Sequence, residues 1–257
     1  MAMAGRVNVH GAGPVLRVTL SHPGKFNAMS RAMWLELKRV FDELGGRAGL
    51  RCVVIAGEGG HFCAGGDIAE YPAFRFDEAA LRQFHEGDVW GGLQAVLACP
   101  VPVVAQIQGN CMGAGVEIAS CCDLRVAGEG ARFGAPIARL GFPMAPREAQ
   151  LVAREVGAAA ARTMLLEAAI LEADQMQACG FLNAVVPDSR VAAEADRRAA
   201  RVAQLGPQAA RMNKSTLRTL GNEGLSEALL KNAYGYADSA EHREGIAAFL
   251  AKRPPVF

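Results

Sequence analysis

A chain of 257 residues is at the upper end for one domain and long enough to bury a large core. Apolar residues make up 51% and charged residues 21%, an ordinary globular composition, and no stretch approaches the ~18–20 continuous apolar residues of a membrane span. A formal net charge of +1 gives no support to nucleic-acid or membrane binding, although a local basic patch for an acidic ligand would not show in that sum.

The N-terminus "MAMAGRVNVHGAGPVLRVTL" lacks a basic start followed by a long apolar run and does not read as a secretion signal. Seven cysteines, odd in number and without CxxC spacing, read as small buried hydrophobes in a reducing, cytoplasmic setting; no metal site is expected.

"VLRVTL" (15–20) alternates as a strand. Ser30 is a fair N-cap for a helix that carries Met33, Leu37, Val40 or Phe41, and Leu44 at helical spacing and stops at Gly45-Gly46. "RCVVIAGEG" (51–59) is a buried-type strand ending in glycines. A helix is predicted over 77–98, broken or loosened near Gly87 and by Gly91-Gly92. "VPVVAQIQGN" (101–110) is a second buried strand, "VEIASCC" a short apolar helix, and "DLRVAG" and "ARFGAP" two further short strands. Beyond Pro146 helical segments dominate, with one last strand in "LNAVVP". Strand–helix units followed by a helical tail define an α/β protein.

Two strand ends carry the chemistry. In "IAGEGGHFCAGGDI" and "QIQGNCMGAGVEIA" a buried strand runs into small residues, which let main-chain N–H groups approach a ligand closely. N–H groups in a first helical turn lack intrahelical partners and lie at the positive end of the helix dipole. Two of them converging on one oxygen would make an oxyanion hole. A tight turn remains the plainer reading of either glycine cluster alone. Glu117, three residues after Ala114 in an otherwise apolar turn, shares its helix face; a carboxylate beside apolar surface has a raised pKa, which suits proton transfer. A solvated helix face is the alternative.

These motifs resemble the enoyl-CoA hydratase/isomerase (crotonase) family over nearly the whole chain. Phe62, Ala64, Gly65, Asp67 and Ile68 match its "F-x-A-G-x-D-[IL]". Gly109, Gly113, Gly115, Glu117, Cys122 and Asp123 match its "G-x-x-x-G-x-G-x-E" and the following cysteine-aspartate pair. Phe133, Gly134 and Pro136 keep part of "F-G-x-P-E", and "FLAKRPPVF" is similar to the family's C-terminus. The resemblance implies a ClpP-like spiral of β-β-α turns over 1–190 and a helical region over 191–257 for oligomerisation and active-site covering. It implies a homotrimer or dimer of trimers. The expected substrate is an acyl-CoA thioester, with no separate cofactor.

In that frame the N–H groups of Ala64 and Ala114 stabilise a thioester enolate and Glu117 is the acid/base. Lys25, Phe26, Ala28, Gly66, Asp67, Ile68, Gly113 and Ile137 border substrate or CoA, with Asp67 holding the loop beside the adenine site. Phe249 and Lys252 match positions that reach a neighbouring subunit's CoA. One departure matters. Family hydratases use two carboxylates, and the second position here is Ile137, while "MAPREA" (144–149) replaces the usual glycine-rich turn. Ordinary hydration is therefore in doubt, and double-bond isomerisation, decarboxylation or a non-catalytic acyl-CoA-binding role stay open.

Glu148 or Glu86 are candidate replacement acids, against helix-dipole and solvated readings respectively. His85 and Asp88 read as solvated, His61 as a loop residue. Arg139 and Arg147 could pair a carboxylate on an unusual acyl group, or form surface ion pairs. A dinucleotide fingerprint in "GAGVEI" fails because Ile118 occupies the third glycine position.

Overall fold

The computed structural model describes residues 4–257. Its main sheet has six strands: β1 (Arg6–His10), β2 (Val15–Ser21), β3 (Cys52–Gly57), β4 (Val103–Ile107), β6 (Leu124–Gly128) and β9 (Ala184–Val186), in the order β1-β2-β3-β4-β6-β9. The β1–β2 pair is antiparallel and every later pairing is parallel. A smaller sheet holds β5 (Asn110–Met112), β7 (Arg132–Gly134) and β8 (Ile170–Glu172). The chain passes from the main sheet to the small one and then into a helix: β4, β5, α4 (Ala114–Cys121). This is the β-β-α spiral expected of the crotonase fold.

Parallel strands need cover on both faces, and β3 ("CVVIAG") is apolar for that reason. On one face lies α1 (Arg31–Gly45), capped by Ser30, which accepts from Met33 N, and burying Met33, Trp34, Leu37, Val40, Phe41 and Leu44. On the other, α8 (Val191–Ala203) sets Ala195 and Ala199 against Cys52, Val54 and Val104. The helical region expected from residue 191 thus begins with a helix that closes the core sheet. Beyond it come α9 (Pro207–Glu223), α10 (Glu227–Asn232) and α11 (Ala240–Leu250).

Two expectations change. The helix predicted over 77–98 is α2 (Glu78–Gln83), a π-turn over Phe84–Val89, and α3 (Trp90–Ala98). Gly91-Gly92 does not break it. A Cβ on Gly92 would lie 2.9 Å from the Trp34 ring, so glycine is what lets α3 pack closely on α1. The strand predicted over 101–110 is two strands in two sheets. The chain turns between them at Gly109, with φ +53° and no room for a Cβ against Gly60 O at 2.6 Å. The segment "IAEYPA" (68–73) forms a 3-10 turn capped by Asp67.

Of the remaining helices, α5 (Pro146–Val156) and α6 (Ala158–Leu166) lie between β7 and β8, and α7 (Ala173–Ala178) follows β8. Asp123, the last residue of the second motif, has a structural task. It accepts from Val103 N at 2.7 Å and pairs with Lys214 and Arg218, tying α9 to the core.

Candidate active site

The two glycine-rich segments are laid side by side by main-chain hydrogen bonds. Cys63 donates to Asn110 O at 2.9 Å, and Met112 donates back to Cys63 O at 2.9 Å. The other edge of the same segment pairs with the 26–29 loop. Met29 N donates to Gly65 O and Asp67 N to Met29 O, both at 2.8 Å. Small residues permit this closeness: a Cβ on Gly115 would be 2.6 Å from Cys63 O, and one on Gly113 3.6 Å from Gly65 Cα.

The hydrogen-bond pattern corrects one donor. Ala64 N–H is spent on Phe26 O at 3.0 Å and is not free for a ligand. Gly66 N–H, between the bonded Gly65 O and Asp67 N, has no acceptor among the described residues. Ala114 N–H, at the first position of α4, likewise has none, while its neighbours Gly113 and Glu117 donate to Gly134 O and Gly113 O. Ala64 borders the cavity, and Gly66 is the residue of this segment whose amide is unspent.

Gly66 and Ala114 open onto one cavity of about 330 Å³, together with Ala64, Ile68, Gly113, Glu117 and Ile137. Lys25 and Phe26 flank this set through their contacts. Lys25 Nζ lies 2.5 Å from the buried carboxylate of Asp67, and Phe26 stacks on His61 at 4.5 Å. Ala28 is buried beside them, its carbonyl 2.7 Å from His22 Nδ1, and is not part of the cavity wall. Phe249 is 80% exposed on α11, and neither it nor Lys252 borders the cavity of its own chain.

Glu117 has no hydrogen-bond donor to its carboxylate among the described residues. Its pKa is pushed up from 4.5 to about 8, first by burial and then by the negative charge of Glu148. Glu148 does not lie on a solvated helix start: it is 2% exposed and accepts from His85 Nδ1 at 3.1 Å. Replacing Glu148 with Gln removes that charge and should move the Glu117 pKa down, with burial keeping it above the ordinary value. The ascending, acid-side limb of the pH–rate profile would then shift to lower pH; an unmoved limb would show that the two acids do not interact.

The other weighed residues separate clearly. Glu86 is paired with Arg147 at 2.6 Å and Asp88 with Arg31 at 2.5 Å. Arg139 donates to Ala168 O at 3.0 Å. His61 Nδ1 accepts from Asn110 N at 3.1 Å and braces the turn. His85 does reach the cavity. Sequence reading missed Tyr71, Arg75 and Phe142, which also line it. Tyr71 Oη stands 2.1 Å from where a Gly66 Cβ would be, and burial pushes the phenol up to about 12. The only signal was the aromatic density of "EYPAFRF", which has no strand or helix period.

An acidic side chain and two unspent main-chain donors on one cavity, carried by a β-β-α spiral, define a crotonase-fold protein. Residues 11–257 match the model of the enoyl-CoA hydratase/isomerase family, and the chain belongs to that family. A solved enoyl-CoA hydratase/carnithine racemase from Magnetospirillum magneticum superposes with a TM-score of 0.93 at 35% identity, covering 98% of this chain and 94% of that one. The 2,3-dehydroadipyl-CoA hydratase of Escherichia coli is 32% identical over 95% of this chain and 94% of its own length. The mevalonyl-coenzyme A hydratase of Beauveria bassiana is 30% identical over 95% and 91%.

Proposed function

We propose that the protein moves a proton at the carbon next to an acyl-CoA carbonyl. The thioester oxygen accepts from Gly66 and Ala114 N–H, and Glu117 exchanges the proton. The observation that carries this reading is the meeting of two unspent amides and a carboxyl with pKa about 8 on one cavity. Deprotonation beside a thioester places negative charge on the carbonyl oxygen, and fixed donors stabilise that charge without reorganising. A carboxyl titrating near neutrality can both take and return the proton.

Ile137 presents no second carboxylate to the cavity. A single carboxyl can complete a double-bond shift, taking a proton from one carbon and returning it to another. Hydration needs a second group to handle water. His85, oriented by Glu148, opens onto the same cavity and supports that second reading, as do the hydratase names of the relatives.

Lys25, Phe26, Asp67 and Ile68 would border the CoA moiety, with the Lys25–Asp67 pair holding the loop; Ala28 would support it from beneath. Phe249 and Lys252 would serve a neighbouring subunit in a trimer or dimer of trimers. Exposed Leu217, Leu225, Phe249 and Leu250 in the C-terminal region favour such an assembly. The reading places the protein in the cytoplasm.

Incubation with saturated and unsaturated acyl-CoA thioesters in deuterium oxide tests the proposal by mass spectrometry. Deuterium at Cα is expected, and the products separate a shifted double bond from added water. Absence of exchange across the whole panel, with binding retained, would overturn catalysis and leave an acyl-CoA-binding protein.

A further inference from the structure

The arginines of this region are mostly spent, and one is not. Arg147 pairs with Glu86 at 2.6 Å, Arg82 with Glu78 at 3.0 Å, and Arg139 donates to a main-chain carbonyl. Arg75 has no carboxylate partner among the described residues. The one hydrogen-bonding contact of its guanidinium there is a long one, Nη1 to His85 Nε2 at 3.5 Å. Its guanidinium lies over the Phe142 ring, 3.6 Å from the centroid, and 4.6 Å from that of Tyr71.

Aromatic rings satisfy the face of a guanidinium and leave its five N–H donors at the edge unspent. Arg75 lines the catalytic cavity and also an adjoining one of about 620 Å³, whose walls include Ile68, Leu81, Leu140 and Phe142. A partly desolvated cation with free donors is costly unless something anionic arrives to pair with it.

Position supplies the ligand's length. Tyr71 bridges the two subsites: its hydroxyl abuts Gly66, where the thioester oxygen would bind, and its ring contacts Arg75. One tyrosine side chain therefore separates the carbonyl subsite from the cation, which is the reach of a short acyl chain. The acids nearby do not cancel this charge. Glu78 and Glu86 are held by other arginines, and Glu148 by His85.

We propose that Arg75 docks a carboxylate at the far end of the acyl chain, so that the preferred substrates are short acyl-CoA thioesters carrying a second, terminal carboxylate. This rests on the acyl-CoA reading above and adds the substrate class to it.

Calorimetry with glutaryl-CoA and adipyl-CoA against pentanoyl-CoA and hexanoyl-CoA tests it on the wild type, Arg75→Met and Arg75→Lys. The wild type should bind the dicarboxylic thioesters on the order of 10- to 100-fold more tightly, and Arg75→Met should abolish that preference while Arg75→Lys keeps part of it. Equal affinity of the wild type for both series would overturn the proposal, as would a preference that survives in Arg75→Met. Loss of both series in proportion in that variant would reduce Arg75 to a structural brace and overturn it too. Binding of neither series by the wild type would instead overturn the acyl-CoA reading on which the proposal stands.

Discussion

Glu117→Gln is expected to lower Cα proton exchange by about 10²–10⁴-fold while acyl-CoA binding changes little. Glutamine keeps the size and polarity of the side chain and loses only the exchangeable proton. The loss should therefore fall on kcat and leave KM close to its original value. An exchange rate within a few-fold of the wild type would remove Glu117 from the mechanism and direct attention to His85.

The same substitution has a pH signature in stability. Native Glu117 holds its proton up to about pH 8, whereas an unfolded glutamate releases it near 4.5. Between those values the native state binds more protons than the unfolded one, so stability falls as pH rises. Burial is the main cause, and the charge of Glu148 adds to it. Glu117→Gln removes this dependence. The variant should thus gain on the wild type as pH is raised across that window, by up to about 1.4 kcal/mol per pH unit. Parallel denaturation curves at all pH values would mean that the carboxyl is not desolvated. Catalysis runs the other way: with Glu117 as base, kcat/KM should rise through about pH 8.

How much of this was legible in the sequence depends on whether a feature has a local cause. Ser30, the apolar stripe of α1 and the buried run of β3 each follow from spacing and composition, so those elements were readable. The two glycine segments were readable as places of close backbone approach. Which amide faces the ligand was not, because it depends on pairing with Met29 and Phe26 from a distant loop. Ala64 and Gly66 are two residues apart on one segment, and only the Phe26 carbonyl, which takes the Ala64 amide, tells them apart. Glu148 and His85 lie 63 positions apart, and no local pattern joins them. Tyr71 and Arg75 fall in a 3-10 turn and the loop after it, without a repeat. The glycine pair at 91-92 shows the converse error: read locally it breaks a helix, while in the fold the second of the two, Gly92, makes room for Trp34.

Ala114→Pro removes one of the two proposed donors and sets the ring Cδ where its hydrogen pointed, so the oxygen's place is both unpaired and narrowed. Ala114 is the first residue of α4, a position where proline's missing N–H forfeits no intrahelical bond and its fixed φ suits the helix. The residue before it is Gly113, with φ +46° and ψ −109°, far from the α region that a following proline forbids. The helix should therefore stand, and Glu117, three residues on, should keep its place. Loss of one oxyanion donor is expected to reduce kcat by about 10²–10³-fold. Combined with Glu117→Gln the losses should be less than multiplicative, because donor and carboxyl act on the same enolate. Circular dichroism and an unchanged Glu117-linked pH dependence of stability would show that α4 is intact. If the variant is folded by those measures and exchanges protons at the wild-type rate, the Ala114 amide does not carry the developing charge. The meeting of two main-chain donors at one oxygen would then no longer account for the chemistry.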